Sequence, residues 1–358
     1  MGVTAMVKQR TKIPLRFHRD GSFRVLMLTD LHGGINHSPK LTAGIEALVD
    51  TQKPDLVLLG GDISVDRCYD GGICKPELLR AYLEDILEPL HRRGIPWAHV
   101  FGNHDRETGM DIEEQQAVYE SFPLCLSERG DRNISGVGNY VLPIFSSRID
   151  CDRRVAYNIF ALDSGQYYTR YIRKFGLPEN TLMRLEHPMC TGNDASMPMP
   201  DQVMWYYNTS CAMEQDNGTA IPAVMFMHIP LPEHYLCGEN PEQTNLIGCK
   251  RESVGCSELN TGLFSACLER GDVRGIFCGH DHLCTYQAEY CGITLAYASS
   301  IGYDMSTHDE LRGGRVIDLY EGGDMHTHYV RLLDIMGLDA LRSPDFFEGG
   351  NKYYMRYR

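Results

Sequence analysis

The chain has 358 residues, 43% of them hydrophobic and 23% charged, a composition that excludes a disordered protein. A formal net charge of −14 leaves no general basic field, so we expect no binding to nucleic acid. The 13 cysteines are odd in number and have no paired spacing, which argues against a disulfide framework and for a reducing compartment.

The first segment, residues 1–21, has basic residues but lacks the apolar stretch of a secretory signal. The longest apolar run of the chain, at 221–231, is shorter than the ~18 residues that span a bilayer. We therefore expect a cytoplasmic protein without a membrane segment.

Short apolar runs alternate with longer amphipathic segments in the first third of the chain. The apolar runs at 24–30, 55–62 and 96–105 predict buried strands, and the segments at 40–52 and 77–94 predict helices. Because strands alternate with helices, this part of the chain indicates a largely parallel sheet that is covered by helices.

The rest of the chain predicts a second sheet and more helices. We expect strands at 138–145, 154–164, 221–230 and 273–282, helices at 200–215 and 261–271, and antiparallel strands at 285–299, 314–321 and 325–333. Irregular segments near 165–200 and 231–260 are too long for ordinary connections, so we expect cap insertions that form walls of a site. This organisation gives one domain, 1–332, followed by a tail, 333–358.

Five of the runs that predict buried strands end in side chains that can bind metal ions. In chain order these are Asp30 and His32, Asp62, Asn103 and His104, His228, and His280 and His282. Ligands of open α/β sheets bind outside the carboxyl ends of the strands, so the five ends should meet. Each end alone would be ordinary turn chemistry or a core histidine, but five of them in this order predict a metal site.

The donor types indicate which metal ions such a site would bind. A mixed set of carboxylate, imidazole and amide groups suits Mn, Fe or Zn better than Ca, which prefers oxygen alone. Two such ions about 3.5–4 Å apart need a shared anionic ligand to offset their repulsion. Asp62 is the natural bridge.

The ordered motifs D-x-H, GD, GNH[DE], H and GHxH, which extend from Asp30 to His282, resemble the signature of calcineurin-like metallophosphoesterases. The resemblance implies an α/β fold of two stacked mixed sheets flanked by helices. It also implies the two ligand sets. One metal ion would be bound by Asp30, His32, Asp62 and His282, and the other by Asp62, Asn103, His228 and His280.

Further stretches, among them LDSGQYY, HIPLPE and GGRVI, are similar to a branch described as purple-acid-phosphatase-like. Purple acid phosphatases have a tyrosine ligand three residues after the bridging aspartate, and Val65 stands at that position here. The resemblance is therefore to a member that lacks the metal-binding tyrosine, and we expect no purple tyrosinate–iron colour.

The resemblance implies a phosphoester hydrolase with two transition-metal ions. A hydroxide that bridges the metals would attack phosphorus in line. His104, which is outside the ligand set, is expected to protonate the leaving oxygen, and Asp105 is expected to orient its ring.

A small phosphorylated compound is the expected substrate, and a phosphomonoesterase is the leading interpretation. A phosphodiesterase for cyclic nucleotides or glycerophosphodiesters is an alternative, since the same metal pair serves both reactions. A non-catalytic scaffold is a further alternative. His234, Arg251 and Tyr303 are the candidates for substrate contact, and the oligomeric state is left open.

Overall fold

The computed structural model describes residues 13–64, 73–148, 154–167, 195–303 and 307–341. Val65, most of the first predicted cap insertion and the chain after Leu341 lie outside the described residues. The described part contains two sheets, of seven and five strands.

The five-stranded sheet is built from β2 (Ser22–Leu28), β3 (Leu56–Leu59), β4 (Trp97–His99), β11 (Gly313–Tyr320) and β12 (Met325–Arg331). Its order is β12-β11-β2-β3-β4, with β2, β3 and β4 parallel and β11 antiparallel to both neighbours. The sheet is therefore mixed, and its parallel half comes from the first third of the chain, as predicted.

The seven-stranded sheet is built from β1 (Leu15–Arg16), β5 (Tyr140–Phe145), β6 (Val155–Ala161), β7 (Ala223–Phe226), β8 (Val273–Cys278), β9 (Gln287–Tyr290) and β10 (Ile293–Tyr297). Its order is β1-β5-β6-β7-β8-β10-β9. We predicted antiparallel strands after β8, which is wrong for one pairing. β10 lies parallel to β8 because the chain first forms the edge strand β9 and then turns back between the two.

The helices are α1 (Pro39–Gln52), α2 (Pro76–Ile86), α3 (Glu88–Arg93), α4 (Ile112–Glu120), α5 (Pro200–Asn217), α6 (Pro232–Glu239), α7 (Leu263–Arg270), α8 (Leu332–Met336) and α9 (Leu338–Leu341). A 3₁₀ turn spans His104–Glu107. Within the described ranges, no helix combines the length and apolar character that crossing a membrane requires.

Two of the predicted boundaries differ from the structure. The helix predicted at 77–94 is divided at Leu87, because Pro89 has no N–H to continue the first helix and instead stands at the start of the second. The segment at 231–260 is not irregular throughout, since Pro232 begins the helix α6.

The two sheets stack face to face, and the alternation of side chains along each strand explains how. Val25 and Met27 of β2 belong to the cluster between the sheets, together with Val224 and Phe226 of β7. Leu26 and Leu28 of β2 point the other way, into the cluster under α1, α2 and α3. The central strands β3 and β7 are covered on both faces, and both are apolar throughout. The predicted fold class of two stacked mixed sheets flanked by helices is confirmed.

Candidate metal centre

The centre lies where strands of both sheets end on the same side of the molecule. Parallel β2, β3 and β4 lead to Asp30, Asp62 and Asn103, and parallel β7 and β8 lead to His228 and His280. Asp30, His32, Asp62, Asn103 and His228 are buried, and His280 is partly buried. Burying carboxylates and imidazoles together is costly unless they are paired or bind a cation.

The side chains form two groups in which the ligand atoms lie within 4.8 Å of one another. The groups are Asp30, His32 and His282, and Asp62, His228 and His280. In the first, His282 Nε2 lies 3.3 Å from Asp30 Oδ1 and 3.2 Å from His32 Nε2. In the second, His228 Nε2 lies 3.0 Å from Asp62 Oδ2. The structure thus brings together the residues that the sequence predicted as ligands.

Asp62 lies between the two groups. Its Oδ2 atom is 3.0 Å from His228 Nε2 and 3.7 Å from His32 Nε2, so one carboxylate oxygen reaches both sets. Asn103 joins the second group, because its Oδ1 is 2.9 Å from His280 Nδ1. This arrangement fits the predicted role of Asp62 as the shared ligand.

Three buried polar atoms face the centre without a well-directed hydrogen bond from any described residue: Asp30 Oδ1, Asp62 Oδ2 and His228 Nε2. The opposite atom of each side chain is used by the protein. Asp30 Oδ2 accepts from Thr29 Oγ1, and Asp62 Oδ1 accepts from the His104 backbone N–H at 2.8 Å. His228 Nδ1 contacts the Gly60 carbonyl at 2.8 Å, which directs Nε2 toward the centre. The donor set therefore fits transition-metal ions.

The backbone is unusual at the same positions. Asp30, His32, Asp62 and His280 have φ values of 52°, 45°, 48° and 72°. Among the described residues, only three other non-glycine positions have a positive φ. Such conformations cost energy and persist where the surrounding structure enforces them, typically at functional sites. Their concentration here supports a site that is held in shape before any ligand binds.

Two glycines of the motifs allow the strand ends to approach one another. A Cβ at Gly102 would lie 2.0 Å from Asp62 Oδ1, and one at Gly279 would lie 2.1 Å from Thr29 Oγ1. Only glycine fits at such distances. Both glycines belong to the sequence motifs, but the steric reason for them depends on neighbours that only the folded structure brings close.

His104 lies at the mouth of the centre, with 24% of its side chain exposed and its ring centroid 5.3 Å from that of His32. Its Nδ1 is 2.7 Å from Glu107 Oε2. The expectation that Asp105 orients this ring is wrong. Both Asp105 oxygens accept from backbone N–H groups, those of Ile63 and Ser64 on one side and Gly102 on the other.

The role of Asp105 is therefore to connect the loop after β3 with the turn after β4. Glu107, which contacts the ring instead, follows His104 by three residues in the 3₁₀ turn. This spacing places both side chains on one face of the turn, and it is the signal by which the sequence could have revealed Glu107.

The three predicted substrate contacts lie in different environments. His234 is fully buried on α6, its ring lies 5.4 Å from that of Tyr297, and burial lowers its pKa to about 3. The prediction for His234 is wrong, because a fully buried side chain cannot reach a substrate. Burial also argues against Tyr303, which packs beneath the Arg312 guanidinium at 4.0 Å. Arg251 is exposed and pairs with Glu310.

Comparisons with known proteins agree with this geometry. The family model described as calcineurin-like phosphoesterase matches residues 23–284. A protein of Arabidopsis thaliana named "Probable inactive purple acid phosphatase 14" is 29% identical over 321 residues, which cover 81% of this chain and 73% of the relative. "Phosphatase DCR2" of Saccharomyces cerevisiae is 30% identical over 295 residues, 75% of this chain and 45% of the yeast protein.

Among solved structures, a dimetal phosphatase from Danio rerio superposes with a TM-score of 0.55 and 13% identity. The superposition covers 87% of this chain and 96% of the zebrafish protein. At this identity the likeness concerns the fold alone.

Proposed function

Because the chain belongs to the calcineurin-like phosphoesterase family, we propose that it is a metal-dependent phosphomonoesterase that acts on small phosphorylated compounds. The observation that carries the proposal is the convergence of Asp30 Oδ1, Asp62 Oδ2 and His228 Nε2, three buried atoms that receive no well-directed hydrogen bond from a described residue. These atoms come from both sheets and from both ligand groups.

The seven predicted ligands would hold two transition-metal ions, with Asp62 shared between them. When bound, such ions lower the pKa of water toward neutrality and stabilise charge on phosphoryl oxygens. The site is buried, so electrostatic interactions within it are stronger than in water. His104, at the exposed edge of the site, would donate a proton to the leaving oxygen.

The name of the Arabidopsis relative raises the alternative of a non-catalytic scaffold. That name describes the plant protein. In this chain all seven predicted ligand positions carry residues that can bind a metal ion, and the structure brings them together. A site that no longer needed to bind metal could lose such residues without consequence. Their presence in this chain therefore favours catalytic activity.

The proposal is tested by reconstituting chelator-treated protein with Mn, Fe or Zn and measuring bound metal by plasma emission. Hydrolysis of p-nitrophenyl phosphate, a monoester, is compared with that of its bis(p-nitrophenyl) diester. We expect about two ions per chain, as the two ligand groups require, and faster monoester turnover. Bound metal without any turnover would indicate a scaffold, and diester preference a phosphodiesterase.

The matched variants are Asp62→Asn and Asp50→Asn. Asparagine tolerates the positive φ of Asp62, so the first variant removes the shared negative charge with little added backbone strain. It should lose metal from both groups and lower turnover by about 100-fold or more. Asp50 lies on α1 and pairs with Arg93 on the surface, so its variant should behave as wild type.

A further inference from the structure

The motif LDSGQYY, of which the structure describes residues 162–167, has no role in the proposed mechanism. It follows β6 and runs alongside the 3₁₀ turn that carries His104. Asp163 is fully buried and forms an ion pair with Arg106 of that turn. It also accepts from the Val137 N–H at 2.7 Å and the Gly165 N–H at 2.9 Å. Asp163 therefore anchors the motif to the turn.

The anchored segment delivers two side chains to Glu107. The Tyr167 hydroxyl donates to Glu107 Oε1 at 2.6 Å, and Gln166 Nε2 lies 3.4 Å from the same oxygen. The other oxygen, Oε2, is 2.7 Å from His104 Nδ1. The Glu107 carboxylate thus connects the motif with the imidazole, using one oxygen for each.

We propose that Glu107 and Tyr167 are positioning residues, which hold His104 in the tautomer and orientation that protonate the leaving group. This inference rests on the proposed function. A carboxylate at Nδ1 keeps that nitrogen protonated, so the proton for the leaving oxygen comes from Nε2.

Hydrolysis with His104 as the acid conserves atoms, electrons and protons. The oxygen of water bonds to phosphorus while the bond from phosphorus to the leaving oxygen breaks, and the electron pair of that bond stays on the leaving oxygen. The leaving oxygen takes the Nε2 proton, which leaves a neutral imidazole with its Nδ1–H still directed at Glu107. The proton lost by the attacking water restores the imidazolium, so no other reactant is needed.

Tyr167 contributes to this scheme because its hydrogen bond restricts the rotamers of Glu107. The side chain of Glu107 is 26% exposed, and ordering a glutamate costs conformational entropy. Burial raises the pKa of Glu107, but the hydrogen bonds from His104 and Tyr167 outweigh it and hold the pKa below its ordinary value. The carboxylate is therefore ionised at neutral pH.

A purely structural role is a weak explanation for the contacts of Glu107 with His104 and Tyr167. Partly exposed ion pairs contribute at most about 1 kcal/mol to stability, because solvent screens them. Tyr167 also reaches the metal-binding side, since its hydroxyl lies 3.5 Å from Nδ2 of Asn103. One hydroxyl thus contacts both the predicted ligand Asn103 and the carboxylate that holds the predicted acid.

The test compares Glu107→Gln and Tyr167→Phe with wild type on two substrates. An alkyl phosphate leaves as a basic alkoxide and needs the proton, whereas p-nitrophenyl phosphate leaves as a stabilised phenolate. General acids contribute about 10²–10⁴-fold, so Glu107→Gln should lower kcat for the alkyl ester by about 10-fold or more. The loss in kcat for the aryl ester should be much smaller, and KM should be unchanged for both esters. Tyr167→Phe should likewise lower kcat more for the alkyl ester than for the aryl ester.

The double variant His104→Ala/Glu107→Gln separates positioning from general damage. If Glu107 acts through His104, adding Glu107→Gln to His104→Ala should cause no further loss. Glu107→Asp, which keeps the charge on a shorter side chain, should retain part of the rate. Glu113→Gln and Tyr157→Phe are the controls, since Glu113 pairs with Arg129 and Tyr157 lies in the core between the sheets.

A readout independent of activity is the imidazole N–H signal in the proton NMR spectrum of Zn-loaded protein. The Nδ1–H bonded to a carboxylate should give a low-field resonance that disappears in His104→Ala and moves upfield in Glu107→Gln. A metal-loaded wild type that hydrolyses neither ester would overturn the proposed function, and this inference with it. Two results with an active wild type would overturn the inference alone. One is that Glu107→Gln lowers kcat equally for both esters, and the other is that Glu107→Gln lowers kcat further in the His104→Ala background.

Discussion

Individual residues of the predicted ligand set are held by contacts on the side away from the centre. His228 shows this most clearly, because its Nδ1 is fixed by the Gly60 carbonyl and its Nε2 faces two carboxylates. Burial lowers the pKa of His228, but in the metal-free protein Asp62 and Asp30 outweigh burial and raise it to about 10. The bound proton therefore occupies the nitrogen that a metal ion would need.

This proton gives a pH dependence of metal binding. Because His228 must lose its proton before it binds metal, the apparent affinity for Mn²⁺ should fall as the pH is lowered below about 10. Displacement of one proton changes the apparent metal affinity by about 10-fold per pH unit. His280, with a pKa near 3 caused by burial and the nearby charge of His228, should release none.

Chelator competition at several pH values measures this slope. Calorimetry in buffers of different ionisation enthalpy counts the protons released. An affinity that is independent of pH between about 6 and 9 would contradict the role of His228 as a protonated ligand in the metal-free protein.

The elements around the centre are joined by buried polar contacts. Asp163, at the end of β6, links that strand to the 3₁₀ turn through Arg106 and to the chain before β5 through Val137. Asp105 similarly links the loop after β3 to the turn after β4. The turn that carries His104 therefore depends on both sheets.

Removing the Asp163 carboxylate should destabilise this part of the fold. Asp163→Ala leaves the Arg106 guanidinium, whose side chain is only 17% exposed, without its ion-pair partner, so we expect a loss of about 3–5 kcal/mol in unfolding free energy. Urea unfolding followed by circular dichroism measures the loss. Asp50→Ala, which breaks an exposed pair with Arg93, should cost less than about 1 kcal/mol. Equal losses for the two variants would contradict the anchoring role.

At the scale of the whole molecule, the centre joins the two stacked sheets. Asp30 and Asp62 extend from the five-stranded sheet, and His228 and His280 from the seven-stranded one. Metal ions bound here would connect the two halves of the fold, in addition to the apolar cluster between the sheets.

Metal removal should therefore lower thermal stability. A ligand at about 100 times its Kd stabilises the native state by about 2.7 kcal/mol, so Tm should fall when a chelator is added and recover with Mn²⁺. Differential scanning calorimetry with and without chelator measures the shift. The Tm of Asp62→Asn should change little with either addition. A wild-type Tm that is unchanged by the chelator would contradict metal binding at the centre between the two sheets.

Eight candidate side chains at strand ends, His104 among them, could be found from the sequence because two local signals combine, and the family resemblance then separated seven predicted ligands from His104. Apolar runs mark buried strands, and parallel strands bring their carboxyl ends to one edge of a sheet, so the meeting of Asp30 and Asp62 follows from the sequence. His228 follows a strand of the other sheet and reaches them only because the two sheets stack. The helix start at Pro39 is equally local, since Ser38 caps it through the Lys40 N–H at 3.3 Å. Such features depend on residues close in sequence.

Other features depend on which segments pack together, and only the tertiary structure decided them. His234 is a core residue because α6 packs on the seven-stranded sheet, and nothing in its own sequence distinguishes it from a ligand histidine. Asp105 and Glu107 are both acidic neighbours of His104, and their roles were decided by the backbone N–H groups around one and by Tyr167 beside the other. Sequence by itself determined which candidate donors follow the buried strands, whereas their meeting across two sheets and the partner of each donor depended on contacts between segments far apart in the chain.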